Sequence, residues 1–450
     1  MRIKKYDYLI VGAGPAGMFA CFELLKKIKG EKIALIDMGP RLENRSVDQV
    51  MMGFGGAGTY SDGKLHYTPK LSHERTFHLI DPDDYQKILN QVEKIFADFG
   101  VDAEYYPKNM EVVESLVEEA ERNDVELVVR KAQHVGTDKL KEVVANFQKY
   151  LLDRGVTIYD MTKIDDLVME KGEVVGVIDS KKQKYLARKI LLAPGRVNAA
   201  WLQKIGKRHG IKYEYDMVEI GVRVEFPRSI MKRYAEALYE VVLKVRTKTF
   251  DDVMRTFCSC PNGLVAVEKY SGYICVNGHS LSDHKSLNSN FAFLCEVHLT
   301  EPVENSIAYA ESIAKLASTI GGGKPIIQRL KDLKRGRRST WQRLAKSMVR
   351  PTLKDVTPGD ISMALPHRIV VNILEGLEKL DSVMPGINSG STLLYAPEVK
   401  LRSSKVAMTS NMETTLKNVY AAGDAAGISG SITGAAATGI MAARGMMVDL

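Results

Sequence analysis

Long apolar runs are missing from this 450-residue chain. No stretch of about 18 or more apolar residues occurs, so a membrane-spanning helix is not expected. Cysteine is scarce: the five, at positions 21, 258, 260, 275 and 295, are too few for the disulfide scaffold of a secreted domain, and their odd number leaves at least one thiol unpaired. A reducing, cytoplasmic setting follows as the expectation. The basic start, Met1 to Lys5, resembles a leader only briefly, because the apolar stretch behind it is broken at once by Gly12, Gly14 and Pro15, without a cleavage pattern. Cys258-Ser259-Cys260 lacks a second ligand pair at metal spacing, so no metal site is expected. No Cys-x-x-Cys follows the first helical segment, which argues against a disulfide reductase, and no Ser sits in a nucleophile elbow. Charge of one sign is also limited. The net charge is +8, and between Arg329 and Arg350 nine Arg or Lys face only Asp332. That run reads either as a solvated helical face or as a grip on an anionic partner; for nucleic acid the residues would be Arg335, Arg337, Arg338 and Arg343.

The length exceeds what one growing core supports, so two domains are expected, one of them interrupted. Tyr6 to Val11 is short and apolar, and Gly-rich residues lead from it into a helical pattern over Pro15 to Ile28. A second strand, Lys32 to Asp37, follows at βαβ spacing, so the first two strands should lie parallel and adjacent. Residues 38–66 are Gly-rich without a period, and loops of that length in compact domains are usually functional. Helical stretches follow near 83–98 and 109–121, the latter acidic and expected to be solvated. Thr137 or Asp138 can cap a helix over Lys139 to Leu152. Strands near 156–160, 164–169, 173–179 and 184–192 suggest a β-meander returning to the sheet. From about 205 to 380 longer alternating strands, such as Glu219 to Phe226 and Gly263 to Val276, predict a mainly antiparallel sheet with added helices. Val419 to Leu450 returns to strand, Gly-rich turn and a helix of small residues.

Gly12-Ala13-Gly14-Pro15-Ala16-Gly17 has the spacing of a dinucleotide fingerprint. The turn needs Gly12, a pyrophosphate approaches the backbone at Gly14, and Gly17 lets the helix pack closely. Asp37 ends the second strand 20 residues after Gly17, where a carboxylate accepts from ribose hydroxyls. That motif alone fits NAD or FAD. A second such fingerprint is absent, and Gly321-Gly322-Gly323 lacks the spacing, so no separate nicotinamide domain is expected.

The other end of the chain, Asn418 to Asp424 followed by Gly427 and Gly430, resembles the second FAD motif of flavoprotein oxidoreductases. The resemblance implies that Gly423 and Asp424 contact the ribityl chain, and that the helix start at Ser431 and Ile432 faces the flavin pyrimidine. Lys189 to Arg196 resembles the motif that ends the meander, with Pro194 where many relatives carry Thr; Ala193, Pro194, Gly195 and Arg196 are its site residues. More narrowly, the chain resembles the NAD(FAD)-utilising dehydrogenases of the two-dinucleotide-binding-motif superfamily. The carriers are residues 55–64, 134–138, 257–261, 277–280 and 398–400, with Asn262 where a Gly is usual.

The implied fold class is α/β. A Rossmann-like, glutathione-reductase-like FAD-binding domain, residues 1–204 and 381–450, is interrupted by a substrate domain, 205–380. Cofactor contacts are expected from Pro15, Ala16, Met38 and Ile164, and from the loop Gly55, Gly56, Ala57, Gly58, Thr59, Ser61, Asp62, Gly63 and Lys64. Cys260 and His66 are the catalytic candidates. Cys258 and Cys260 share one face of a strand without favourable disulfide geometry, although two thiols can relay electrons. His134 and His279 are further proton donors by position. The expected activity is hydride transfer between flavin N5 and an organic substrate, with NAD(P)H as a transient donor or a redox partner in its place. An RNA-modifying flavoprotein, an isoprenoid-lipid reductase and a flavin sensor without turnover are the alternatives.

Overall fold

The computed structural model describes residues 3–46, 49, 51–61, 63–270, 272–279, 285–297, 299, 305–400 and 404–448. Contacts divide the chain into two compact units, Met1–Tyr105 with Arg130–Asp216 and Ser403–Leu450, and Tyr106–Val129 with Met217–Arg402.

In the first unit the apolar start becomes the strand Lys4–Val11, with its last four residues buried. It pairs in parallel with Ile33–Ile36 on one side and Lys184–Leu192 on the other. Strands covered on both faces are apolar throughout rather than alternating, which is why this segment shows no period of two. Thr157–Tyr159 extends the parallel sheet beyond Ile33–Ile36, and Val419–Ala421 pairs in parallel with the end of Lys184–Leu192. The meander therefore has three strands, Ile164–Glu170, Glu173–Asp179 and Lys184–Leu192; the segment near 156–160 belongs to the parallel sheet. The helices Pro15–Leu24 and Ile432–Met446 pack closely because a Cβ at Gly439 would stand 2.1 Å from the Ala16 carbonyl oxygen. Bare glycine lets the two backbones touch.

The helix Thr137–Asp153 begins two residues earlier than the run Lys139 to Leu152 that the sequence suggests. Its N-cap is Gly136 at φ +83°, with no side-chain cap, so neither Thr137 nor Asp138 fills that place. A Cβ at Gly63 would stand 2.9 Å from the Gly136 nitrogen, so the two glycines let these turns meet.

The second unit is built on an eight-stranded sheet ordered Thr357–Pro358, Ile326–Arg329, Leu393–Lys400, Val218–Pro227, Asn288–Val297, Val253–Cys260, Leu243–Arg246 and Val125–Leu127. All neighbours are antiparallel except the first pair. Gly263 to Val276 is not one strand. Leu264–Tyr270 and Tyr273–His279 form a hairpin whose turn contains Gly272 at φ +88°. The acidic helix, Met110–Arg122, is not merely solvated: Val113, Leu116 and Ala120 enter the core of this unit. Residues 106–129 and 381–402 both lie with the second unit, whereas the sequence places them with the first domain. The junctions that the sequence places at 204/205 and 380/381 fall at 216/217 and 402/403 by contact.

Among the described residues no helix is long and apolar enough to cross a membrane, and no group of His, Cys, Asp or Glu is placed to hold a metal ion.

Candidate functional site

Four segments distant in sequence meet at the carboxyl ends of the parallel strands in the first unit. The Gly12 turn, held by its N–H on the Ile36 carbonyl (2.7 Å), is so tight that a Cβ there would lie 2.0 Å from the Ala193 oxygen. Gly12 also has φ +109°, so two constraints demand glycine. At Gly17 a Cβ would meet the Gly12 oxygen at 1.9 Å. Gly14 differs: the nearest atom to its Cβ would be the Gly56 Cα, at 3.9 Å. The side of the turn that faces a phosphate in such folds is open, while the sides that face protein are filled. The helix Pro15–Leu24 starts here, and its first-turn N–H groups have no partner within the helix.

The Gly-rich loop lies against that turn. The Gly55 N–H donates to the Ala13 carbonyl (2.8 Å), and Gly55 and Gly56 take φ +85° and +60°. Residues Gly56–Tyr60 form a 3-10 helix, which brings Gly58 between Pro15 and Ile432. The loop is held from within by Arg45, whose Nη1 donates to the carbonyls of Phe54 (2.6 Å) and Gly56 (3.0 Å) and to Thr59 Oγ1 (3.0 Å). Thr59 is therefore a buried acceptor of the loop's own clamp. Ser61 is likewise engaged, donating to the Gly58 carbonyl at 2.8 Å. Ala57 is half-buried between Gly56 and Gly58, and Lys64 opens the strand Lys64–His66. Asp62 lies outside the described residues. Arg45 was not legible, because a lone Arg in an aperiodic loop carries no pattern.

Asp37 accepts three backbone N–H groups, from Ala13 on Oδ2 (2.7 Å) and from Gly39 and Gly53 on Oδ1 (2.8 and 2.9 Å). Burial pushes its pKa up, against the pull of those three donors. Oδ2 carries one protein donor, so a carboxylate oxygen with about two lone pairs has room for a ribose hydroxyl. Beside it lies an open pocket lined by Met38, Thr162, Lys163, Ile164, Pro194, Asn198 and Trp201 among others. Trp201 donates its indole N–H to the Asp165 carbonyl (3.1 Å), which fixes the ring as a wall. Asn198 and Trp201 follow the motif Ala193 to Arg196 by a few residues and had no motif of their own.

At the far end, Asp424 Oδ2 meets Arg196 Nε at 3.0 Å and Oδ1 accepts from Ser429 Oγ at 2.8 Å. Gly423, at φ +75°, lets the turn approach Ala16, since a Cβ there would stand 3.2 Å from the Ala16 Cβ. Ser431 caps the helix Ile432–Met446 by accepting from the Gly434 N–H (3.0 Å), and its hydroxyl also meets His73 Nε2 at 3.2 Å. His73 Nδ1 pairs with the Tyr85 hydroxyl at 2.9 Å. Burial, aided by His66 and Arg130, pulls the His73 pKa down to about 3, so the imidazole is neutral. His66 is buried nearby, and its carbonyl accepts from Thr433 Oγ1 in the first turn of the same helix (2.6 Å). His73 escaped the sequence because a single His beside no motif reads as structural.

Other candidates lie elsewhere. Cys260 is in the second unit, at the end of Val253–Cys260; His134 pairs with Lys64 in a short sheet, and His279 is exposed. Of the basic run, Arg337 and Arg329 both bind the buried Asp332, and Arg343 donates to the Arg338 carbonyl. Arg335 and Arg338 are exposed.

The dinucleotide therefore fits on the geometry: an open phosphate face at Gly14, a carboxylate with a spare lone pair, and a walled pocket beside it. Comparison with known proteins agrees. Residues 7–213 match the family model of the FAD binding domain, and residues 217–401 that of the FAD-dependent protein, C-terminal domain-like. A Clostridium beijerinckii protein described as uncharacterized is 24% identical over 97% of this chain and 80% of its own length. Solved structures at 12% identity include 3-ketosteroid-delta4-(5alpha)-dehydrogenase from Rhodococcus jostii RHA1, with TM-score 0.45, covering 98% of this chain and 96% of that one. A second is the FrdA chain of E. coli quinol fumarate reductase, at 12% identity and TM-score 0.44, covering 99% and 70%.

Proposed function

The chain belongs to the FAD-dependent flavoprotein oxidoreductases, and from that premise we propose that it transfers hydride between FAD and a small or medium organic substrate. The observation that carries the reading is the meeting of the Gly12 turn, the Gly55 loop, the Ala193 turn and the Gly423 turn around one open face. Bound FAD supplies the redox chemistry, accepting and returning a hydride at flavin N5.

The protein's own residues bind, orient and set charge. The N-terminus of Pro15–Leu24, with the open Gly14, takes the diphosphate. Asp37 would accept from the ribose, while Met38, Ile164, Pro194 and Trp201 would wall the adenine. Asp424, held by Arg196 and Ser429, takes the ribityl hydroxyls. The positive end of the helix Ile432–Met446 would stabilise negative charge on the flavin pyrimidine. His73 orients the Ser431 cap without adding a charge, because it is neutral. His66, beside it, is the candidate proton donor in this unit.

The test is the visible spectrum of the purified protein, recorded anaerobically before and after NADH or NADPH. A flavin spectrum that bleaches establishes nicotinamide as donor. A flavin that stays oxidised until a substrate or a redox partner is added assigns the protein to substrate-driven dehydrogenation. Protein that neither retains nor rebinds FAD sinks the proposal.

A further inference from the structure

Three segments singled out by the family resemblance lie in the second unit, and all three come together around one arginine. Arg223, fully buried in the central strand Val218–Pro227, donates from Nε to Asn290 Oδ1 (2.7 Å) and from Nη1 to Glu398 Oε1 (3.2 Å). Its Nη2 reaches the Cys258 carbonyl (2.7 Å) and Cys260 Sγ (3.2 Å). Gly278 makes this possible, because a Cβ there would stand 1.8 Å from that Nη2. Lys400 Nζ lies 3.1 Å from Glu398 Oε1. Two buried atoms, Glu398 Oε2 and Asn290 Nδ2, have no partner among the described residues. Buried polar atoms are nearly always satisfied, so these two are exceptions.

The cysteines of the chain divide sharply. Cys21, Cys260, Cys275 and Cys295 are buried, and burial pushes Cys295 to about 11, Cys275 to about 12 and Cys21 higher still. Cys258 is the one cysteine of the five that is not buried. Its place in the strand is irregular. Phe257 pairs with Ala292 and Cys260 with Asn290, so three residue steps on one strand oppose two on the other, and Cys258 takes φ +46°. In a straight strand, residues two apart lie about 6.7 Å from Cα to Cα, near the upper limit of about 6.8 Å for a disulfide. A bulge bends the strand and turns its side chains out of alternation. The straight-strand argument against pairing these thiols therefore does not hold here. Strained backbone of this kind gathers at functional sites.

We propose that Cys258 and Cys260 form a redox-active dithiol that exchanges with a low-molecular-weight disulfide, Cys258 attacking first and Arg223 positioning Cys260. The Cys258 thiolate attacks one sulfur of RS–SR; the S–S bond breaks, and the departing thiolate takes up the proton that Cys258 released. Cys260 then attacks the Cys258 sulfur of the mixed disulfide, the second thiolate leaves, and it takes the proton from Cys260. The protein loses two electrons and two protons, and RSSR becomes two RSH. Cys258, the part-exposed thiol of the pair, is the one that a small disulfide reaches first. The pair stands on the second unit's own geometry and does not depend on the flavin reading.

The test uses the full chain, reduced, freed of reductant and incubated with glutathione disulfide before acid quenching and peptide mapping. With alkylation done after denaturation, the peptide carrying residues 258–260 is expected to have lost two hydrogens and to refuse the alkylating agent, while Cys21, Cys275 and Cys295 are alkylated. Cys260→Ser is expected to trap glutathione on Cys258, and Cys258→Ser to stay unmodified. Both variants are checked for wild-type circular dichroism and FAD content, so that a folding defect is separated from lost chemistry. Both thiols remaining alkylatable in the treated wild-type protein would overturn the proposal, as would glutathione appearing on another cysteine in Cys260→Ser.

Discussion

Burying the His73 imidazole makes its proton costly, and the cost has a sign that pH reveals. Its pKa in the fold is about 3, against about 6.5 in an unfolded chain. Between those values the unfolded state binds a proton that the folded state does not, so stability falls as pH drops through that window. The loss is up to about 1.4 kcal/mol per pH unit, and it is absent above the unfolded value. Urea unfolding of His73→Gln at pH 7, 6, 5 and 4 should therefore show a shallower decline than the wild type. Equal slopes would mean that His73 is protonated in the fold. Asp37 makes a separate residue-scale prediction. Its three backbone donors tie the ends of two loops to the second strand, and charged hydrogen bonds contribute about 1.5–3 kcal/mol each. Asp37→Ala should weaken FAD at least about tenfold by fluorescence titration and also lower the melting temperature. An unchanged affinity would remove Asp37 from the ribose site.

At the scale of elements, two glycines of one turn should behave oppositely. A Cβ at Gly17 would lie 1.9 Å from the Gly12 oxygen, so Gly17→Ala forces the helix Pro15–Leu24 away from its strand. Loss of several kcal/mol, read as a large drop in melting temperature without FAD, is expected. Gly14 has φ −74° and no atom within 3.9 Å of a Cβ. Gly14→Ala should leave the apoprotein within about 0.5 kcal/mol of wild type while cutting FAD affinity at least about tenfold. A Gly14→Ala protein that binds FAD normally would place the diphosphate elsewhere. This turn was legible because its glycines sit at spacings fixed by backbone contact. The hairpin at Leu264–Tyr270 was not, since its turn interrupts a run that alternates on both sides. The helix Met110–Arg122 hid its apolar stripe, Val113, Leu116 and Ala120, among six acidic or basic neighbours. Arg45, His73 and Arg223 were illegible for one shared reason: each acts through partners distant in sequence, and no local spacing records them. Asn262 shows the reverse. It stands where a Gly is usual, yet takes φ +53° behind Pro261, a position that Asn tolerates better than other side chains.

At the scale of the molecule, the two units carry different burdens in this reading, and ligand linkage can separate them. FAD that binds the folded first unit stabilises it by about 2.7 kcal/mol at a hundredfold excess over Kd. Amide exchange should therefore slow on adding FAD in the segments that meet around the open face, residues 12–17, 37–39, 53–60, 193–196 and 423–434. Many of these are turns with positive φ, whose exchange in the apoprotein reflects local opening rather than global unfolding. The strand Val253–Cys260 belongs to another compact unit, with its own sheet and core. Glutathione disulfide should alter exchange there, around the bulge at Cys258, and leave the first set unchanged. Protection by FAD confined to the second unit would reverse the assignment of cofactor to the Gly12 turn, even if the protein is yellow. Protection of the first set by FAD, with a separate response at Cys258 to the disulfide, is the expected pattern, because the contacts that build each site come from within its own unit.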